Sequence, residues 1–162
     1  MVKKEVNFIG VDYDYFDFNG RNYVKIIGRD ECGKRVCVVD EIKSYFWAVL
    51  KEGIGEKKAN EIAEKIGRIK IKSEVRESIV EKVSVENKKF LGKEVKALKI
   101  FVTNHKDMHA VADEIGFEEV EARREYDISL ITKYISEKDF VPLTWKKIKG
   151  ELIEEGELGG IN

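Results

Sequence analysis

Residues 45–67 read YFWAVLKEGIGEKKANEIAEKIG. The first six, Tyr45 to Leu50, form a continuous apolar run of strand length, and Gly53 and Gly55 interrupt the chain after it. Beyond them Ala59, Ile62, Ala63 and Ile66 recur at the i, i+3, i+4, i+7 spacing of one helix face, and Gly67 is a natural stop. The stretch therefore predicts a buried strand followed by a helix over 56–66.

Working outward, two more strands are predicted at about 79–85 and 95–102, joined through residues 88–93. A second helix begins near Lys106, with Asn104 as N-cap and Asp107 a weak capping-box partner. Its apolar stripe is Met108, Val111, Ala112 and Ile115, and Gly116 closes it. A strand over 118–125 completes the order β-α-β-β-α-β. That order is the ferredoxin-like arrangement, one sheet with two helices on one face.

Upstream, segments 8–13, 23–27 and 35–39 are separated by turns at Asn19-Gly20 and Cys32-Gly33, and read as an antiparallel meander. Downstream, residues 128–138 read as a third helix N-capped by Asp127, with Ile128, Ile131 and Ile135 toward a core. From Lys146 the chain is charged and then glycine-rich. The predicted class is α+β: an N-terminal β meander (1–44), a ferredoxin-like core (45–127), a C-terminal helix and return segment (128–145), and a tail or linker (146–162).

At 162 residues the chain is long enough to bury roughly 70% of its unfolded surface in one core. With 43% hydrophobic and 38% charged residues it reads as globular, with an ion-pair-rich surface of the kind thermophiles use. The 30 basic residues balance 31 acidic ones, so any nucleic-acid contact has to come from a local basic face or from a larger assembly. No signal peptide and no bilayer-length apolar run is visible, which predicts a cytoplasmic protein without membrane partners.

Candidate chemistry is sparse. His105 and His109 at i, i+4, with Cys32 and Cys37, invite a zinc reading, but the gap between the pairs is too long for a finger. The cysteines read instead as two reduced, half-buried thiols flanking a turn, a placement that would allow them to face each other across a hairpin. Asp12, Asp14 and Asp17 alternate along a strand without the calcium-loop signature and read as solvated acids. No nucleophile elbow, catalytic triad or phosphate loop is present, so neither catalytic residue, metal nor cofactor is expected. Tyr45 and Trp47 project from one strand face and Phe46 from the other, with Phe101 on a neighbouring strand. Exposed aromatics on a sheet opposite two helices can stack on bases, whereas a second core beneath the meander is the favoured reading. Lys88, Lys89, Lys93, Lys96 and Lys99 are candidates for a basic strip along a nucleic-acid backbone, or for a solvated hairpin.

Several segments together resemble one family. Ile9-Gly10-Val11-Asp12-Tyr13, the strand 45–50, Lys88-Lys89-Phe90-Leu91-Gly92-Lys93, Glu125-Tyr126-Asp127-Ile128, Tyr134 and Val141-Pro142 resemble the N-terminal domain of archaeal family B DNA polymerases. The resemblance spans roughly 8–143 and is weakest over 53–79. In that family the domain precedes a 3′–5′ exonuclease domain and the polymerase palm, fingers and thumb. The chain reaches Asn162 without the exonuclease's acidic strand, so the resemblance implies a cut-out domain, a split-gene product or a stand-alone relative. It further implies a catalytically silent domain whose partners are single-stranded template DNA and the remaining polymerase and exonuclease domains, in cis or in trans.

The family's domain captures template uracil in a pocket. Carried over, the pocket would use Tyr13, Ser44, Tyr45, Met108, Ile128, Ser129, Leu130 and Lys133. Tyr13, Tyr45 and Ile128 agree with the family. Ser44 and Ser129 stand where it has proline, Met108 where it has valine, Leu130 where it has phenylalanine and Lys133 where it has arginine. A longer side chain in the slot, walls without proline's fixed φ, and a point charge in place of a planar fork all predict weakened or absent uracil capture. Two rival readings are a free-standing nucleic-acid-binding module and a small interaction protein that docks on a polymerase.

Overall fold

The structure, a computed structural model, describes residues 4–124, 130–138 and 145–153. In chain order the elements are β1 (Lys4–Phe18), β2 (Arg21–Asp30), β3 (Arg35–Ile42), β4 (Ser44–Leu50), α1 (Glu56–Ile66), β5 (Lys70–Lys72) and β6 (Glu77–Phe90). They continue with β7 (Lys93–Val102), a short 3-10 helix (His105–Asp107), α2 (Met108–Glu114), β8 (Val120–Arg124), α3 (Leu130–Glu137) and β9 (Trp145–Ile153). Two compact units result, one from Met1–Ile42 with Ser129–Asn162 and the other from Lys43–Ile128.

The second unit is a sheet in the order β5-β6-β7-β4-β8. Setting aside the three-residue β5, the order β6-β7-β4-β8 is that of a ferredoxin-like sheet, with every pairing antiparallel. Both helices lie on one face, because their apolar stripes bury against the same strand residues. Ala59, Ile62 and Ile66 of α1 and Met108, Val111 and Ala112 of α2 share one core with Phe46, Ala48, Leu50, Leu98, Ile100 and Val102. Each large side chain fully buried here contributes about 1.5–3 kcal/mol. The α+β class read from the sequence is what the structure contains.

Polar groups fix how α2 begins. The Asn104 side chain accepts from the Lys106 amide at 3.0 Å and caps the short 3-10 turn. Asp107 stands at the N-cap of α2, but its side chain makes no capping bond there. Its carboxylate takes Arg76 Nε at 2.7 Å and Arg76 Nη2 at 3.0 Å, and also accepts from the Ser78 hydroxyl. Burial by itself would raise the Asp107 pKa, but the bonds from Arg76 and Ser78 hold it below its ordinary value.

In the first unit β1, β2, β3 and β9 form a closed barrel. Here the sequence reading is corrected: residues 146–153, taken as the start of a tail, are strand. Trp145 pairs with Ile9 and Gly150 with Lys4 on one side, and Ile153 pairs with Cys37 on the other. The strand leaves neither β1 nor β3 with an unpaired edge along that stretch, which is why a lysine-rich segment adopts it. The remainder of the tail lies outside the described residues. The cysteines also differ from expectation. Cys37 is buried and faces Ile27, while Cys32 is exposed in the turn, so the two are not cross-strand neighbours.

On the third helix Ile131 and Ile135 pack against Phe8, Val24, Ile26, Val38 and Ile42, as their spacing predicts, and Ile128 lies outside the described residues. Tyr134 is the helix residue buried deepest in that cluster, and its hydroxyl donates to Asp40 Oδ2 at 3.0 Å. Burial, then the Asp40 charge and hydrogen bond, push the tyrosine's pKa up. Among the described residues no helix is long and apolar enough to cross a membrane.

Candidate nucleic-acid interface

Alternation along β4 sends Phe46, Ala48 and Leu50 into the core beneath the helices and Tyr45 and Trp47 to the opposite face. Pairing with β7 then sets Tyr45 opposite Phe101 and Trp47 opposite Lys99. A register shift between Val80 and Lys82 on β6 brings Lys82 level with Phe101 and Ser84 level with Lys99. The helix-free face therefore carries two adjacent cross-strand rows of rings and ammonium groups.

The Tyr45 and Phe101 rings lie 5.8 Å apart and tilted by 52°. Lys99 Nζ sits 4.1 Å from the Tyr45 ring centre, 5.3 Å from that of Phe101 and 5.6 Å from that of Trp47. Lys88 Nζ stands 4.8 Å from the Trp47 ring centre and Lys82 Nζ 6.0 Å from that of Phe101. Each such contact at an exposed site contributes about 0.5–1 kcal/mol. Lys82 and Lys88 are exposed, Trp47, Lys99 and Phe101 half-buried and Tyr45 buried.

The five lysines expected along one strip divide. Lys88 and Lys99 meet at Trp47. Lys96 projects to the other sheet face, where it donates to Asn87 Oδ1 at 2.6 Å. Lys93 donates to Glu52 Oε2 at 2.9 Å, which raises its pKa, and Lys89 stands opposite Glu94 in the hairpin. Lys82 takes the vacated place. Alternation alone could not reveal it, because the bulge in β6 changes which lysine falls beside Phe101.

The pocket candidates divide between the units. Ser44, Tyr45 and Met108 belong to the sheet unit, where Met108 is fully buried in the core and Ser44 nearly so. Tyr13 and Lys133 belong to the barrel unit. Tyr13 packs on the cluster around Phe8 and Ile26, and burial raises its phenol pKa. Gly10 makes room for it, since a Cβ there would collide with the Tyr13 hydroxyl. Lys133 is buried on α3. Ile128 and Ser129 lie outside the described residues, as does the side chain of Leu130. Among the described residues no group of three His, Cys, Asp or Glu side chains is placed to hold a metal ion.

No protein-family model matches the chain. It is 30% identical over 135 residues to a DNA polymerase of Thermococcus kodakarensis, a match that covers 82% of this chain and 8% of that protein. DNA polymerase 1 of Pyrococcus abyssi is 28% identical over 135 residues, covering 82% of this chain and 16% of its own length. The chain thus spans 8% to 16% of the length of these relatives. Among solved structures, the family B DNA polymerase from the hyperthermophilic archaeon Pyrobaculum calidifontis superposes with a TM-score of 0.67 at 25% identity, over 86% of this chain and 17% of that one.

Proposed function

With the chain's homology to archaeal family B DNA polymerases over 82% of its length as premise, we propose that it acts as a non-catalytic, N-terminal-type domain of such an enzyme in DNA replication. In this reading it contacts the single-stranded template and docks on the remaining polymerase and exonuclease domains, in cis or in trans. The observation that supports the reading is the shared fold, which covers 86% of this chain and 17% of the polymerase it superposes on. The lysines around Trp47 support a nucleic-acid contact on a chain with no net basic charge.

Sensing of a deaminated base is the finer role. Its candidates are Tyr13, Ser44, Tyr45, Met108, Ile128, Ser129, Leu130 and Lys133. The burial of Met108 among Phe46, Val111 and Ala112 favours weak capture, because a base slot needs a wall that faces the ligand. A second reading, a free-standing nucleic-acid-binding module, is favoured by the ring-and-lysine face, which needs no other domain to be complete.

The test is a titration of single-stranded oligonucleotides bearing one uracil, matched thymine controls and duplex DNA. The expected result is salt-sensitive binding of single strands, with uracil and thymine within about threefold of each other, a gap below about 0.7 kcal/mol. A strong uracil preference would overturn the weak-capture part, and no single-strand binding at low salt would overturn the template contact.

A further inference from the structure

We propose that the helix-free face of the five-stranded sheet is a stacking platform for single-stranded nucleic acid. Trp47 and Phe101 receive successive bases, and Lys82, Lys88 and Lys99 receive the phosphates beside them. The proposal rests on the nucleic-acid reading above in one respect, that the ligand is a single strand. Among the described base-pocket candidates of the sheet unit, Tyr45 lies on that face, whereas Ser44 and Met108 do not.

Three observations converge on this ligand. First, Trp47 and Phe101 occupy diagonal positions across β4 and β7, roughly 7–8 Å apart by strand geometry. That separation suits two splayed bases, one per ring. Tyr45, on the same face beside Phe101, is buried with Lys99 Nζ 4.1 Å from its ring centre, so it fixes its neighbours and is not itself offered to a base. Second, the charge is complementary. Three ammonium groups stand within 6.0 Å of these rings, against two carboxylates on the facing stretch of β6, Glu86, which lies 4.0 Å from Lys88 Nζ, and Glu81, which adjoins Lys82 at the bulge.

Third, the energies favour exchange. Each lysine resting on a ring gains about 0.5–1 kcal/mol, whereas a base stacked on an aromatic ring gains about 1–3 kcal/mol. A base therefore displaces the ammonium from the ring face, and the freed lysine is left within reach of the adjoining phosphate. A duplex hides its base faces and offers phosphates alone, so the platform selects single strands. Ring faces carry no donor–acceptor code, so selection among bases and between DNA and RNA is weak.

The experiment uses the full chain with Trp145→Phe, which leaves Trp47 as the fluorescent reporter, since the chain has two tryptophans. It is titrated with short oligothymidylate, oligouridylate, a DNA duplex and polyglutamate at two salt concentrations. The expected result is quenching of Trp47 by both single strands, with dissociation constants within about threefold of each other. Trp47→Leu and Phe101→Leu, read by oligonucleotide anisotropy, should each weaken binding about tenfold, the equivalent of about 1.4 kcal/mol of stacking. Lys88→Gln and Lys99→Gln, which leave the core untouched, should each lower the salt slope by about 0.7.

Unchanged affinity and slope in the lysine variants would overturn the platform, as would a duplex that binds as tightly as the single strands. Tighter binding of polyglutamate would overturn it in favour of an acidic protein segment. If single strands bind but respond only to Tyr13→Phe and Lys133→Gln, the platform falls and the template contact stands. If no single strand binds at low salt, both fall.

Discussion

Replacing Asp107 with asparagine isolates the contact that joins the turn before β6 to the start of α2. The carboxylate side chain is 11% exposed and that of Arg76 22%, and two Arg76 nitrogens and the Ser78 hydroxyl converge on it. Breaking a fully buried pair costs about 3–5 kcal/mol. Arg76 keeps some solvent and asparagine keeps one acceptor, so the expected loss at neutral pH is about 2–3 kcal/mol. If the whole chain melts cooperatively, that lowers Tm by about 5–10 °C. The folded-state pKa of Asp107 is depressed, so its stabilisation is present above the ordinary value of 3.8 and disappears as pH falls through the folded value. Urea melts of the parent chain and Asp107→Asn at neutral pH and below pH 3 provide the assay. The gap should shrink toward zero in acid, because a protonated aspartate resembles asparagine. A gap under about 0.5 kcal/mol at neutral pH, or one that persists in acid, would refute the reasoning.

Three further outcomes are expected. Leu91 is 87% exposed and has φ +52° beside Gly92 at φ +78°, so Leu91→Asn should stabilise by about 0.5–1.5 kcal/mol in chemical melts; a loss of stability would show that the leucine makes a contact that matters. Tyr134→Phe should cost about 1–2 kcal/mol by removing the hydroxyl that donates to buried Asp40 Oδ2, an oxygen that Lys138 Nζ also approaches at 3.9 Å. Because the tyrosine's pKa is raised, its contribution is present below the ordinary value of 10.0 and lost as pH rises, so the variant should flatten the alkaline limb of the stability curve. In a thiol-reagent titration Cys32 should react at once, while Cys37, buried and with its pKa raised mainly by that burial, should react only on unfolding; two fast thiols would contradict the barrel.

The periodic elements were legible in the sequence. The helix read from Ala59, Ile62 and Ile66 spans the predicted residues, and the Asn19-Gly20 turn joins β1 to β2 with both residues at positive φ. Strand β9 was not legible, because Lys146, Lys147, Lys149 and Glu151 dominate its composition and its two partner strands begin over a hundred residues earlier. Alternation assigned Tyr45 and Trp47 to one sheet face. It could not supply the register that puts Lys99 against Trp47, nor the bulge that brings in Lys82. By spacing Asp107 reads as a weak capping-box partner of Asn104, because sequence spacing sees only neighbours along a helix, while its actual partner Arg76 lies 31 residues away.

The central claim is that a single nucleic-acid strand lies on this chain. Its most direct test is the shift of backbone amide and Trp47 indole NMR signals as oligothymidylate is added to the full chain at low salt. The account predicts shifts concentrated on β4, β6 and β7 around Trp47, Lys82, Lys88, Lys99 and Phe101, and suppressed by Lys99→Gln. Absent shifts, or shifts confined to α1 and α2 on the opposite face, would contradict it.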